Sequence, residues 1–239
     1  MERLTKHEVF EQGGHEKLQV LRGVFSEHGI KTMMFGSRLR GTHIEESDYD
    51  VAAIIYIEDG LNDDEIVAKF KEHEINVANI LISVEKDVSK KVFSYAIDDE
   101  GKLFTILPKL VEVSDPSVLI SVNHGVITRN KPGEIISASK KINKETGGMY
   151  RSLVMSLKHS AQKQGIQGAG IYIESIMHAL DSVQDMSTER EYLSEMIRIV
   201  ESDKEIEIPG AEGKTLFKNS EERNTALIFL QRELESYIQ

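Results

Sequence analysis

The sequence predicts an α+β chain: a half that mixes strands and helices, followed by an all-helical half. Three observations carry this. Apolar runs of strand length at 30–35, 51–57, 77–84, 91–97 and 102–113 fall in the first half. From Pro132-Gly133 onward the apolar spacing turns helical, over 133–145, 149–164, 169–180, 188–203 and 219–238. The chain has 239 residues, 40% of them hydrophobic, enough for one large domain or two small ones sharing an interface.

Each element has a local reason. Residues 3–29 read as a helix with an apolar face of Leu18, Val20, Leu21, Val24 and Phe25, ended by Gly29. A short strand over 30–35 runs into Gly36-Ser37. The run 51–57 is apolar throughout, as a strand buried on both faces is. Asp59-Gly60 marks a turn, and 63–74 is an amphipathic helix with Ile66, Val67 and Phe70 inward. Strands are expected over 77–84 and 91–97, then a hairpin loop at Asp98-Asp99-Glu100-Gly101 and a long strand over 102–113. Pro132-Gly133 marks the boundary, which predicts domains at 1–130 and 131–239. Ser187 is the expected N-cap of the helix at 188–203, and Pro209-Gly210 with Gly213 a loop before the last helix. The chain shows no internal repeat, heptad array or low-complexity segment.

Composition narrows the function. There are 29 Lys+Arg against 40 Asp+Glu, a net charge of −11. A protein that wraps duplex or tRNA neutralises phosphates with a basic surface, so a large nucleic-acid footprint is disfavoured and a small nucleotide fits better. The absence of cysteine excludes disulfides, zinc-thiolate sites and thiol nucleophiles. The N-terminus has no apolar stretch of a secretory signal, and no apolar run approaches a membrane span. A cytoplasmic protein is expected.

Residues 35–55, FGSRLRGTHIEESDYDVAAII, hold the densest chemistry. A Gly-Ser turn, a Gly-Thr pair and then Asp48 and Asp50 lead into the apolar run. Residues i and i+2 of a strand share a face about 7 Å apart. Two carboxylates so placed can share hard cations, which two-metal sites hold about 3.5–4 Å apart. Mg²⁺ takes oxygen ligands, commonly one or two carboxylates plus substrate phosphates. The small residues Gly36, Ser37, Gly41 and Thr42 let backbone N–H groups cradle a triphosphate. A turn capping a strand is the plainer reading of the same residues.

GSRLRGT followed by SDYD resembles the G-S-x-x-x-G-T and D-x-D signature of the DNA polymerase β-like nucleotidyltransferase superfamily. Its pattern is most similar to archaeal-type CCA-adding enzymes and to oligoadenylate and cyclic-oligonucleotide synthases. The resemblance implies a mixed-sheet nucleotidyltransferase domain followed by a helical nucleotide- and substrate-binding domain, with the active-site cleft between them. It implies Mg²⁺ or Mn²⁺ on Asp48 and Asp50, an NTP substrate whose β- and γ-phosphates meet Gly36 and Ser37, and a hydroxyl acceptor on a small nucleotide. Two roles are open to Arg40: a phosphate contact, or a salt bridge with Glu45 or Glu46. The stretch 151–180 resembles the helix-loop-helix of the second domain. On that resemblance Lys158 reaches the triphosphate as a point charge, against a solvated helix lysine. Tyr172 either stacks on a nucleobase, worth about 1–3 kcal/mol, or packs in the core. His43, His124, His159 and His178 show no metal-ligand spacing.

One departure matters. Relatives carry a third carboxylate in an apolar-Asp-apolar-apolar-Pro context, and the matching stretch here is Leu103-Phe104-Thr105-Ile106-Leu107-Pro108. Thr105 falls on the carboxylate position, unless Asp98, Asp99 or Glu100 substitutes. A hydroxyl offers less charge to a second cation. An active transferase, a nucleotide-binding pseudoenzyme and a scaffold or partner subunit all follow from this pattern, and the fold alone does not choose among them.

Overall fold

The computed structural model describes residues 15–45, 47–85, 87–91, 94–99, 101–166, 168–180, 183–202, 205–211 and 214–237. The chain divides into two compact units: Met1–Leu39 with Glu45–Pro132, and Arg40–Ile44 with Gly133–Gln239. The mixed α+β architecture expected from the sequence is the one observed.

The sheet unit runs α1 (His15–Glu27), β1 (Lys31–Met34), α2 (Ser37–Arg40), β2 (Tyr49–Ile57), α3 (Asp63–Val84), β3 (Val88–Lys90), β4 (Tyr95–Asp99), β5 (Lys102–Glu112), β6 (Leu119–Asn123) and β7 (Val126–Asn130). The strands order as β1-β2-β5-β4-β3, with β6 joined to β5 and β7 to β6. β2 and β5 pair in parallel, and the other pairs are antiparallel. Pro108 lies within a central strand, where a missing N–H ordinarily breaks the ladder. Here β4 pairs with β5 from Lys102 to Ile106, and β6 pairs at Leu110. Pro108 falls where β5 exchanges one neighbour for the other.

Several expectations are corrected. Residues 77–84 form no strand; they complete the 22-residue helix α3. The run is rich in Val and Ile, but Ile66, Phe70, Val77, Ile80 and Leu81 fall on one buried helical face. A capping box between Asn62 and Glu65 starts the helix, and tertiary burial overrides local strand preference. The strand expected over 91–97 is displaced, with β3 ending at Lys90 and β4 starting at Tyr95. Val20 is exposed, while Leu18, Leu21 and Phe25 carry the buried face of α1. The hairpin β6–β7, turning at His124-Gly125, escaped the sequence reading. Residues 3–14, Glu46, Glu100 and Gly213, which entered that reading, lie outside the described residues.

The helical unit comprises α4 (Pro132–Glu145), α5 (Met149–Lys163), α6 (Ala169–His178), α7 (Glu189–Glu201) and α8 (Ser220–Ser236). Tyr150, Leu153 and Val154 of α5, Ile173 and Met177 of α6, and Leu193 and Met196 of α7 build one core with Phe229 of α8. The N-cap of α7 is Thr188, not Ser187: its hydroxyl accepts from the Glu191 N–H, and the Glu191 carboxylate accepts from the Thr188 N–H. Ser187 joins by donating its N–H and hydroxyl to the same carboxylate. A buried polar cluster joins Ser139 of α4, Tyr150 and His178, with separations of 3.1–3.3 Å. Burial pushes the Tyr150 hydroxyl up to about 12. Among the described residues, no helix is long and apolar enough to cross a membrane.

Candidate functional site

Strand alternation builds the first cluster. Tyr49 turns into the core and stacks on Phe104, with ring centroids 4.8 Å apart. Asp50, the next residue of β2, therefore takes the opposite face. Asp50 is paired in register with Thr105 of β5, as Tyr49 is with Phe104. Thr105 then donates its hydroxyl to Asp48 Oδ2 at 2.6 Å. Thr105 and the two aspartates are thus gathered on one edge of the β2–β5 ladder.

The Gly36 turn closes against this cluster. The Phe35 N–H donates to the Asp50 carbonyl at 3.1 Å, which fixes the turn beside the strand. Gly36 has φ +77°, and a Cβ there would sit 1.9 Å from Asp50 Oδ2. The Asp50 carboxylate occupies the space that any side chain at 36 would take. Ser37 follows as the first residue of α2.

Arg38, which the sequence reading passed over, holds the approach to the aspartates. Its Nη2 donates to the Ser47 carbonyl at 2.6 Å and its Nε to the Asp48 carbonyl at 3.3 Å. Its guanidinium lies 3.7 Å from the centroid of Tyr49, a cation–π contact. Three contacts from one side chain thus fix the backbone leading into Asp48.

Asp48 and Asp50 are two carboxylates that could hold a divalent cation, with the Thr105 hydroxyl as a neutral oxygen beside them. This set fits a cation that draws its remaining ligands from phosphates and water. Among the described residues, no group of three or more His, Cys, Asp or Glu side chains is arranged to hold a metal.

A second cluster forms in the helical unit around Glu174 of α6, another residue the sequence reading missed. Arg40 Nε donates to Glu174 Oε2 at 2.5 Å. Lys158 Nζ donates to Glu174 Oε1 and to the Thr42 carbonyl, each at 2.9 Å. The Thr42 hydroxyl also donates to Glu174 Oε1 at 2.9 Å. The side chains of Glu174, Lys158 and Arg40 keep 8%, 11% and 19% of their exposure, so this is a buried ion triad. Burial alone would push the Glu174 carboxyl up; the Arg40 and Lys158 cations outweigh it and hold the group below its usual value. Gly170 makes room for Lys158, since a Cβ there would lie 2.7 Å from the lysine Cε.

Arg40 therefore pairs with Glu174, a partner not offered by its sequence neighbourhood, and Lys158 is bonded within the protein rather than solvated. Tyr172 stacks on Phe217 with centroids 5.8 Å apart and packs against the helical core. It also lines a mainly apolar cavity of about 140 Å³ with Ile176, Phe229 and others. Glu174 did leave a signal in the sequence: an acid inside the apolar run AGIYIESIMH must find a counter-charge if the helix is buried. No comparable signal marks Arg38 among the basic residues of 35–42.

Residues 18–108 match the family model described as a nucleotidyltransferase domain. The matched span contains Gly36, Ser37, Asp48, Asp50 and Thr105. No curated protein matches the chain. The fold of the domain and of the helices after it recurs in solved structures. The CdnE c-UMP-AMP synthase of Rhodothermus marinus, solved with Apcpp and Upnpp, aligns over 97% of this chain and 95% of its own, at TM-score 0.69 and 12% identity. The STING-associated CdnE c-di-GMP synthase of Capnocytophaga granulosa aligns over 94% and 81%, at TM-score 0.71 and 16% identity. The DncV cyclic AMP-GMP synthase of Vibrio cholerae aligns over 86% and 62%, at TM-score 0.62 and 13% identity. Beyond the matched nucleotidyltransferase domain, the helical unit shares its fold with these enzymes.

Proposed function

We propose that this protein is an NTP-dependent nucleotidyltransferase whose product is a small nucleotide, of the cyclic-dinucleotide class that the structural relatives make. The observation that carries the reading is the Asp50 carboxylate seated over Gly36, with Asp48 beside it on the Thr105 hydroxyl. A glycine turn and two carboxylates lie together, an arrangement suited to metal-assisted phosphoryl transfer. The Gly36 turn and Ser37 receive the distal phosphates. Asp48 and Asp50 would hold a divalent cation, Mg²⁺ or Mn²⁺, and that ion would supply charge neutralisation for the polyphosphate. An acceptor hydroxyl forms a bond to the α-phosphorus, the bond to pyrophosphate breaks, and the hydroxyl proton passes to solvent. Arg40, Lys158 and Tyr172 need no contact with the nucleotide in this scheme.

The Thr105–Asp48 hydrogen bond favours a second reading: nucleotide binding with weak or no transfer. With a hydroxyl in place of a carboxylate, the cation that would activate the acceptor has fewer anionic ligands. One experiment separates the readings. The protein is titrated calorimetrically with nonhydrolysable NTP analogues and Mg²⁺, then incubated with the four natural NTPs while pyrophosphate and nucleotide products are followed. Binding with pyrophosphate release is expected for the transferase. Binding without release assigns the pseudoenzyme. No Mg²⁺-dependent binding of any analogue overturns both.

A further inference from the structure

We propose that Glu174 is a positioning residue for the nucleotide site: it fixes residues 40–44, the link in the chain between the Gly36-Ser37 turn and the Asp48–Asp50 pair. The inference rests on the nucleotidyltransferase reading for its functional meaning, but the structural part stands on contacts already described.

Three hydrogen bonds reach this link, and a fourth joins two of their partners. Arg40 and Thr42 both bond to Glu174 through their side chains, and the Thr42 carbonyl accepts from Lys158, itself bonded to Glu174. Thr42 is fully buried. Glu174 is the common member: remove its charge, and Arg40 and Lys158 lose their shared counter-ion while the Thr42 hydroxyl loses its acceptor. A hydrogen bond involving a charged group is stronger than a neutral one, so the carboxylate, and not merely the shape of residue 174, holds the link. Arg38 secures the far end of the same segment at Ser47 and Asp48. Residues 40–48 are thus tied near both ends by charged side chains, one tie buried and one at the surface.

A competing arrangement predicts the opposite sign. If Arg40 and Lys158 were phosphate ligands masked by Glu174, removing the carboxylate would free two cations and strengthen nucleotide binding. The test uses the full chain and Glu174→Gln, which keeps size and removes charge. Amide hydrogen exchange is measured first, without nucleotide. Exchange within residues 40–48 is expected to accelerate about tenfold, the equivalent of one charge-assisted bond, while α7 and α8 keep their protection. Affinity for the tightest-binding nonhydrolysable NTP analogue with Mg²⁺ is then expected to fall about tenfold. Leu193→Ala, a core variant of α7, should lower Tm yet leave that affinity unchanged, separating positioning from general destabilisation.

Higher affinity in Glu174→Gln overturns the proposal in favour of masking. Unchanged exchange at 40–48 overturns it outright. If Glu174→Gln does not fold, Thr42→Val removes one bond to the same carboxylate; a smaller acceleration confined to 40–48 supports the proposal, and none overturns it. If the wild type binds no analogue, the nucleotidyltransferase reading fails by itself, and the exchange measurement still decides whether Glu174 fixes the link.

Discussion

Two carboxylate clusters of this protein use the same chemistry to opposite ends. In the helical unit, Glu174 is buried and its oxygens are met by Arg40, Lys158 and Thr42, so its charge is balanced inside the fold. In the sheet unit, Asp48 and Asp50 stand on one strand edge, where Asp48 meets a neutral threonine hydroxyl and Asp50 lies over a glycine. The first arrangement is complete with protein atoms alone. The second gathers two carboxylates at a place shaped by the absence of a side chain. A buried ion triad and a carboxylate pair beside a glycine thus make different demands on the fold.

The largest effect that tests this contrast is on stability. Glu174→Ala leaves two buried cations without their counter-ion, and breaking such a set costs about 3–5 kcal/mol. Denaturant unfolding should show that loss. A cost below about 1 kcal/mol would mean that water reaches the triad and the contrast with the sheet unit is false.

The converse variant is the pair Asp48→Ala with Asp50→Ala. Unfolding free energy should move by about 1 kcal/mol or less, as for substitutions outside the core, while calorimetry should find Mg²⁺-dependent NTP binding abolished. Unchanged affinity would remove both aspartates from the ligand site.

Thr105→Asp sharpens the contrast by adding a third carboxylate beside Asp48 and Asp50. Three neighbouring carboxylates repel one another, so the variant should be less stable than wild type in EDTA and should recover when Mg²⁺ is added. A Tm response to Mg²⁺ no different from that of wild type would place Thr105 outside the metal site.

The smallest expected effect is the response to acid, and here the two units behave alike before they diverge. Burial holds His73 in the sheet unit and His178 in the helical unit below the ordinary imidazole value of 6.5. Both are favoured neutral in the fold, so their contribution is fully present above pH 6.5 and is lost as pH falls from there through their lowered folded values. Glu174, also lowered, contributes above its unfolded value of 4.5 and loses that contribution as pH falls through its folded value. Unfolding measured from pH 7 to pH 3 should therefore decline in two stages, and Glu174→Gln should flatten the lower one. A variant curve parallel to wild type below pH 4.5 would contradict the lowered value.

Much of this was legible in the residues. Helical periodicity placed the α-helices described in the second half, most clearly α5 and α7, whose apolar positions recur on one buried face. The strand at 77–84 failed because Val77, Ile80 and Leu81 suit either period, and only packing with Ile66 and Phe70 decided between them. Asp48, Asp50 and Gly36 could be read because their sequence spacing is also their spatial arrangement. Glu174 could not, since its partners lie 134 and 16 residues away. The role of Arg38 depends on bonds to backbone carbonyls, which no side-chain pattern records.

The pairing of Asp50 with Thr105 has one further consequence. Tyr49 and Phe104, each one residue earlier, stack in the core, while Asp50 and Thr105 face away from that stack. Chemistry and folding are thereby written on alternate residues of the same two strands. A change at 105 alters the oxygens beside Asp48 and Asp50 without disturbing the ring pair beneath them. A change at 104 loosens the core and leaves the ligand set as it was. Such a scaffold can change the polar face of its two central strands in single steps while its core stays packed.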